Sequence, residues 1–413
     1  MNARRILIGA PLVLAALAAA AGIAAYRAAG TFSVALPESL SGREPGALVA
    51  VERIGKYPAF VVRYILGTVE MPDPVDVKYG IALYRVHYRT TNYDGSVVVA
   101  SGLVALPNGN DLNSVVVYHH GTNAQRNTAP SQPGLGEGML IAAATAGAGH
   151  VLVAADYIGL GESHAVHPYM HAKTTSSTSI DLLRASQTLV KYLRGTWPRS
   201  LFLMGFSQGG HATFAVQRDL EKSADAPFRV TASAAIAGPF HVREVSFPQA
   251  LTGETDSHAF YLAYLANSYA HVYDSPPQSI LASAYAAKVP ILFDGDHTVE
   301  EISTALPDDP RELFNPEFLD AYDQGKPHWF LDALAENNVD DWTPIAPIRI
   351  YYGDEDVDVL PEEARRAEAA MKARGAHVTA VSVGPYDHNA SALRAIPQAL
   401  RWFTSLAGEV PAG

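Results

Sequence analysis

Short apolar runs punctuate the chain at 115–118 (VVVY), 151–155 (VLVAA), 201–206 (LFLMGF) and 348–352 (IRIYY). Runs this short and this continuously apolar suit strands buried on both faces. Helix-compatible segments at 139–146 and 179–193 separate the first three, and one at 210–222 follows the third. Such alternation predicts a mostly parallel sheet with helices on both sides. Upstream, strand-like runs at 82–88 and 97–105 flank Asn92-Tyr93-Asp94-Gly95, whose Asp-Gly pair predicts a hairpin turn. Residues 31–46 are polar and carry Gly and Pro, which reads as a leader to the folded part. Between 238 and 344 the alternation stops. That stretch is rich in Tyr, Asp, Pro and helix formers, and Thr298-Val299-Glu300-Glu301 fits a capping box. It reads as a mostly helical cap inserted over the sheet's C-terminal edge; a helical domain beside the sheet is the plainer alternative. The pattern then resumes, with a strand expected at 378–383 and a helix at 390–406, where Pro397 marks a kink. The expected units are 47–237 with 345–410, interrupted by 238–344.

The 413 residues are 48% hydrophobic and 17% charged, enough apolar material for a large core. A net charge of −12 offers no basic face for nucleic acid. The absence of cysteine excludes disulfides, a catalytic thiol, a thiolate metal site and a lipidated N-terminal cysteine. Arg4 and Arg5 precede an apolar stretch, 6–25, that ends in small residues. Residues 1–29 therefore read as a signal peptide or as an uncleaved N-terminal membrane anchor. Either way export is expected, to a secreted, periplasmic or surface location, and the anchor reading brings membrane association.

The sharpest local signal is Gly205-Phe206-Ser207-Gln208-Gly209-Gly210, a G-x-S-x-G placed between a strand-like run and a helical pattern. A serine on so sharp a turn needs small residues two positions before and after it. The turn aims the Gln208 N–H and the positive end of the next helix at the serine hydroxyl. A serine nucleophile also needs a base and an orienting acid, expected downstream in the order acid, then histidine. The loop after 348–352 offers Asp354, Glu355, Asp356 and Asp358. Asp356, third after Gly353, suits the reach inward to a histidine; Asp354 is second. A calcium loop fits poorly, because Val359 and Arg365 stand where glycine and an acid are needed. Only His377 and His388 lie beyond Asp356, and His377 precedes the last strand-like run. His388, in the loop after that run, is the expected base. The second oxyanion donor should follow an early strand, at His120-Gly121-Thr122. Thr122 is the choice and Gly121 its rival.

The motifs YHHGT (118–122), ADYIGLGES (155–163), HPYM (167–170) and DW-P (341–344) resemble the secretory lipase family of α/β-hydrolases, which includes fungal lipase-A-type enzymes and bacterial esterases. GDEDVDVLP and DHNASALRAIPQALRWF are similar to that family's acid loop and its terminal histidine segment. The resemblance covers most of the chain from about residue 60. It implies an α/β-hydrolase fold, a mostly parallel sheet flanked by helices, and a helical cap between nucleophile and acid. It also implies carboxylic-ester hydrolysis, as in lipases, by the triad Ser207, Asp356 and His388 with Thr122 and Gln208 as oxyanion hole. The substrate would be a small-molecule or lipid ester, triacylglycerol among them, with no cofactor. A serine peptidase or amidase on the same scaffold, and a non-catalytic surface binding protein, are the competing readings. Gly159-Leu160-Gly161 lacks a P-loop lysine and reads as a turn beside the site. Asp294-Gly295-Asp296-His297 reads as a turn before the Thr298 helix. His167-Pro168-Tyr169 reads as mouth lining or packing. The cap aromatics Phe260, Tyr261, Tyr264, Tyr269 and Tyr273 are expected to divide between an acyl-chain wall and cap packing.

Overall fold

A computed structural model describes residues 31–409 apart from 70, 133, 223–225 and 256. The expected signal or anchor at 1–29 lies outside the described residues. Among the described residues no helix is long and apolar enough to cross a membrane.

Ten strands form one sheet in the order β1-β2-β3-β4-β6-β5-β7-β8-β9-β10. Strands β1 (Phe32–Ser33), β2 (Leu48–Tyr57), β3 (Ile81–Thr91) and β4 (Val97–Pro107) pair antiparallel. Strands β5 (Val115–His119), β6 (Val151–Ala155), β7 (Leu201–Phe206), β8 (Val230–Ile236), β9 (Ile348–Tyr352) and β10 (Val378–Ser382) run parallel to their neighbours within that group. The expected hairpin closes β3 onto β4: Asn92 N–H donates to Ser96 O at 2.8 Å, and Gly95 takes φ 84°. A positive φ there is what glycine supplies without strain.

The continuous apolar runs are explained by burial on both faces. In β5, Val116 and Tyr118 join Ile141, Leu400 and Phe403 from the helices Glu137–Gly147 and His388–Glu409. Val115 and Val117 join Leu182, Leu189 and Val216 from the helices Ala172–Arg194 and Gln208–Lys222. The mostly parallel sheet flanked by helices is thus an α/β-hydrolase architecture.

Three elements depart from the pattern reading. Residues 31–46 are not only a leader, because Phe32 and Ser33 add an edge strand opposite Arg53 and Glu52. β2 is hidden in the sequence because two register shifts, between Leu48 and Ala50 and between Arg53 and Gly55, break its period-two alternation. β8 (VTASAAI) lacks the bulky signature of a central strand, since its small side chains leave room for a close helix. The elbow helix packs there so tightly that a Cβ on Gly210 would lie 2.7 Å from the Gly238 Cα.

Between β8 and β9 the described segments are helical, the longest being Ser257–Val272. They form their own apolar cluster, which also takes in Ala124, Tyr169 and Met170 from loops of the sheet domain. The Thr298 capping box is formed, with Thr298 Oγ1 accepting from Glu301 N–H. Asp294-Gly295-Asp296-His297 makes the turn ahead of it.

Candidate active site

Strand β5 lies between β6 and β7, so the chain leaves β5 to one side and returns on the other. That reversal opens a crevice at the strands' C-terminal ends. The pairing of His119 with Gly205 puts the exits of β5 and β7 next to each other in the crevice.

Ser207 is the first residue beyond β7 and has φ 56°, a left-handed conformation that costs a non-glycine residue about 1–3 kcal/mol. Its N–H donates to Ile236 O at 2.9 Å, and its carbonyl accepts from Gly210 N–H at 2.8 Å, so the turn is clamped by β8 and by its own helix. The flanking glycines are sterically required. A Cβ on Gly205 would meet Gly209 O at 2.1 Å, and one on Gly209 would meet His119 O at 1.9 Å. The helix begins at Gln208, whose amide lies in the first turn, where an intrahelical acceptor is lacking.

Asp356 follows β9 and is buried. Its Oδ2 lies 2.8 Å from His388 Nδ1, while Oδ1 accepts from the N–H groups of Asp358 (3.1 Å) and Val359 (2.9 Å). Those bonds orient the carboxylate and place the Nδ1 proton of His388 towards it. Asp354 points elsewhere, accepting from Ser382 Oγ at 2.7 Å on the surface. His388 opens the last helix, and its ring packs 4.6 Å from that of Phe206, the residue before the serine. Acid and histidine loops are locked together: a Cβ on Gly353 would lie 2.1 Å from Tyr386 O. Ser207, Gln208 and His388 line one cleft. Among the described residues no hydrogen bond joins Ser207 to His388. Such contacts commonly tighten only with substrate in place.

The β5 exit separates its two candidate donors. Gly121 N–H is committed to Glu137 Oε1 at 3.2 Å, which leaves Thr122 as the uncommitted choice. Thr122 Oγ1 is 3.0 Å from Tyr169 OH, which ties this loop to the HPYM segment. His167 in the same segment supports the elbow from the side. Its Nδ1–H donates to Ile158 O at 2.8 Å, and its Nε2 accepts from Gln208 Nε2 at 3.1 Å. Burial lowers its pKa to about 3, so it stays neutral and keeps that tautomer. Gly159 and Gly161 shape the turn below: both have positive φ, and a Cβ on Gly161 would lie 2.3 Å from Asp156 Oδ2.

The cap aromatics divide. Tyr261 lines the cleft, whereas Phe260, Tyr264 and Tyr269 are buried in the cap cluster. Glu137 and His258 carried no signal in the sequence; the first braces the β5 exit and the second lines the cleft, beside Met170 of HPYM and Asp358 of the acid loop.

Fold and site define an α/β-hydrolase with a serine elbow. Its solved neighbours include a lipase-A lipase, a bacterial esterase and a provisionally assigned hydrolase. The chain is similar to a Legionella pneumophila protein assigned provisionally as a hydrolase, with 29% identity and a TM-score of 0.83 over 89% of this chain and all of that one. It is similar in fold to the rice cell wall degrading esterase LipA from Xanthomonas oryzae (24% identity, TM-score 0.76, 89% of this chain and 99% of that one). Candida antarctica lipase A in its closed state shares the fold at 15% identity, with a TM-score of 0.64 over 91% of this chain and 86% of that one. The sequence matches no protein-family model and no curated protein.

Proposed function

We propose that this protein is a serine hydrolase of carboxylic esters. One observation carries the reading: His388, paired at 2.8 Å with the buried Asp356, shares a cleft with a serine held at φ 56°. Esterases and lipases among the fold neighbours support the same class. His388 takes the Ser207 proton as Oγ attacks the ester carbonyl. Asp356 holds the imidazole and stabilises the imidazolium. The N–H groups of Gln208 and Thr122 receive the oxyanion. As the tetrahedral intermediate collapses, the C–O bond to the alcohol breaks and His388 returns the proton to it. Water, deprotonated by His388, then attacks the acyl-serine and frees the acid. The steps balance without a cofactor.

The cleft walls of Met170, Leu262 and Leu265 suit an acyl chain, which favours small or lipid esters as substrates. Export through residues 1–29 belongs to the same proposal, and fractionation of the expressing cells checks it.

The test pairs a fluorophosphonate label with graded p-nitrophenyl esters and matched anilides. Wild type is expected to carry the label on Ser207 and to cleave esters in preference to anilides. Ser207→Ala is expected to fold and to lose the label and almost all turnover. A label on another serine would overturn the assignment, and faster cleavage of the anilides would make the protein an amidase.

A further inference from the structure

One wall of the catalytic cleft carries a polar side chain that the acyl-transfer steps leave unused. His258, in the first turn of the cap helix Ser257–Val272, lines the cleft with Ser207 and His388 and is 1% exposed. By hydrogen-bond geometry neither of its ring nitrogens has a partner among the described residues, although the Val357 carbonyl faces the ring. Buried polar atoms are nearly always paired, so two idle nitrogens on one ring need a reason. Packing alone would be served better by a leucine or phenylalanine. Burial lowers the histidine's pKa, against opposing pulls from Asp358, the Val357 carbonyl and Glu254. The ring is therefore neutral near pH 7 and presents one donor and one acceptor.

The surroundings narrow what it can meet. Asp358, also on the cleft, accepts from Thr255 Oγ1 at 3.0 Å. A carboxylate there repels an anionic substrate group. Tyr261 beside it has its pKa pushed up to about 12 by burial, so it remains a neutral hydroxyl. Leu262 and Leu265, one and two turns further along the same helix, and Met170 make the rest of this lining apolar. The two nitrogens point apart, so one substrate group meets one of them; a hydroxyl can donate to or accept from either, and an unsubstituted alkyl chain can do neither.

We infer that His258 is a specificity-determining residue that hydrogen-bonds a neutral hydroxyl on the substrate, making hydroxyl-bearing esters the preferred class over plain alkyl esters. The inference rests on the ester-hydrolase reading and deepens it. One net hydrogen bond corresponds to roughly a tenfold preference in kcat/KM.

Two matched pairs test it and locate the hydroxyl. p-Nitrophenyl hexanoate against its 6-hydroxyhexanoate places the hydroxyl on the acyl side. Butyl butyrate against 4-hydroxybutyl butyrate places it on the alcohol side. Wild type is expected to favour the hydroxylated member of one pair by about tenfold. In His258→Phe that ratio is expected to fall to about one, and in His258→Gln, which keeps a donor and an acceptor, to recover in part. Circular dichroism confirms folding, and His258→Leu replaces the phenylalanine variant if that one does not fold. A wild-type ratio near one in both pairs would overturn the inference while leaving the ester-hydrolase reading intact. So would a ratio unchanged by the apolar substitutions, which would make the histidine merely structural. Failure of wild type to cleave any of the four esters would sink the ester-hydrolase reading, and this inference with it.

Discussion

Asp354 and Asp356 are two positions apart in one loop with the same chemistry, and the structure separates them by direction. The Asp356 carboxylate is buried and shared between His388 and two backbone N–H groups; that of Asp354 meets Ser382 and solvent. Asp356→Asn should keep the fold and lower kcat by about 10⁴, as when a triad acid becomes an amide. Asp354→Asn should change it by less than about threefold, since an exposed polar contact contributes little. Kinetics on one p-nitrophenyl ester ranks the two, and the reverse order would move the acid to Asp354. The G-x-S-x-G spacing was legible because the turn excludes every Cβ at Gly205 and Gly209. For the acid the sequence ranked Asp356 first and Asp354 second by position alone, because a loop sequence does not say which way each side chain points.

The cap is joined to the sheet domain by a buried clasp. His241, a few residues after β8, lies 2.9 Å from Asp340 Oδ2, on the irregular segment that leads from the cap back to β9. Its other nitrogen is 2.8 Å from Glu363 Oε2, on the core helix Pro361–Ala373. Burial opposes the charge on His241, but the two carboxylates outweigh it and raise its pKa to about 9. A folded-state pKa above the ordinary value of 6.5 means that the clasp contributes fully below about pH 6.5 and is lost as pH rises through about 9. The melting temperature should therefore fall between pH 7 and pH 10. His241→Gln should lower it already at pH 7, because breaking a buried ion pair costs about 3–5 kcal/mol, and should flatten the alkaline decline. Melting curves across that range check both, and an unchanged alkaline slope in the variant would refute the clasp. Nothing in the sequence around His241 marked it, since its partners lie about 100 residues downstream.

Across the whole molecule, Tyr264 joins the cap core to the loops that carry Thr122, the proposed oxyanion donor, and its partner Tyr169. Its ring stacks on Tyr169 at 4.3 Å and on Phe293 at 4.4 Å, and its hydroxyl donates to Asn123 O at 3.1 Å. Arg126 adds a second link, bonding Asp294 O and Asp296 on the cap turn. Tyr264→Ala should cost about 3–5 kcal/mol, as other buried aromatic truncations do. It should also lower kcat, because Tyr169 loses its stacking partner while it holds Thr122. Tyr264→Phe should cost only about 1 kcal/mol, for the one hydrogen bond. Urea unfolding measured beside ester turnover separates the two effects. Full kcat in the alanine variant would show that the cap does not brace the oxyanion loop.

By itself the sequence determined what is local in cause. Apolar runs at β5, β6, β7 and β9 declared strands buried on both faces, and the glycines around Ser207 declared the elbow. The chain order of serine, acid and histidine then left His388 alone downstream of β10. The export proposal for residues 1–29 rests on the sequence alone, because those residues lie outside the described ones. The tertiary structure decided what depends on side chains meeting across long stretches of chain. The Gly121 N–H meets Glu137, and the Asp356 carboxylate meets His388, across stretches that no local pattern connects. β2 and β8 needed their neighbours to exist as strands, one because bulges broke its alternation and the other because a close helix demanded small side chains. His258 became visible only through burial without a partner, since an unmet hydrogen bond is a property of the surroundings and is written in no residue alone.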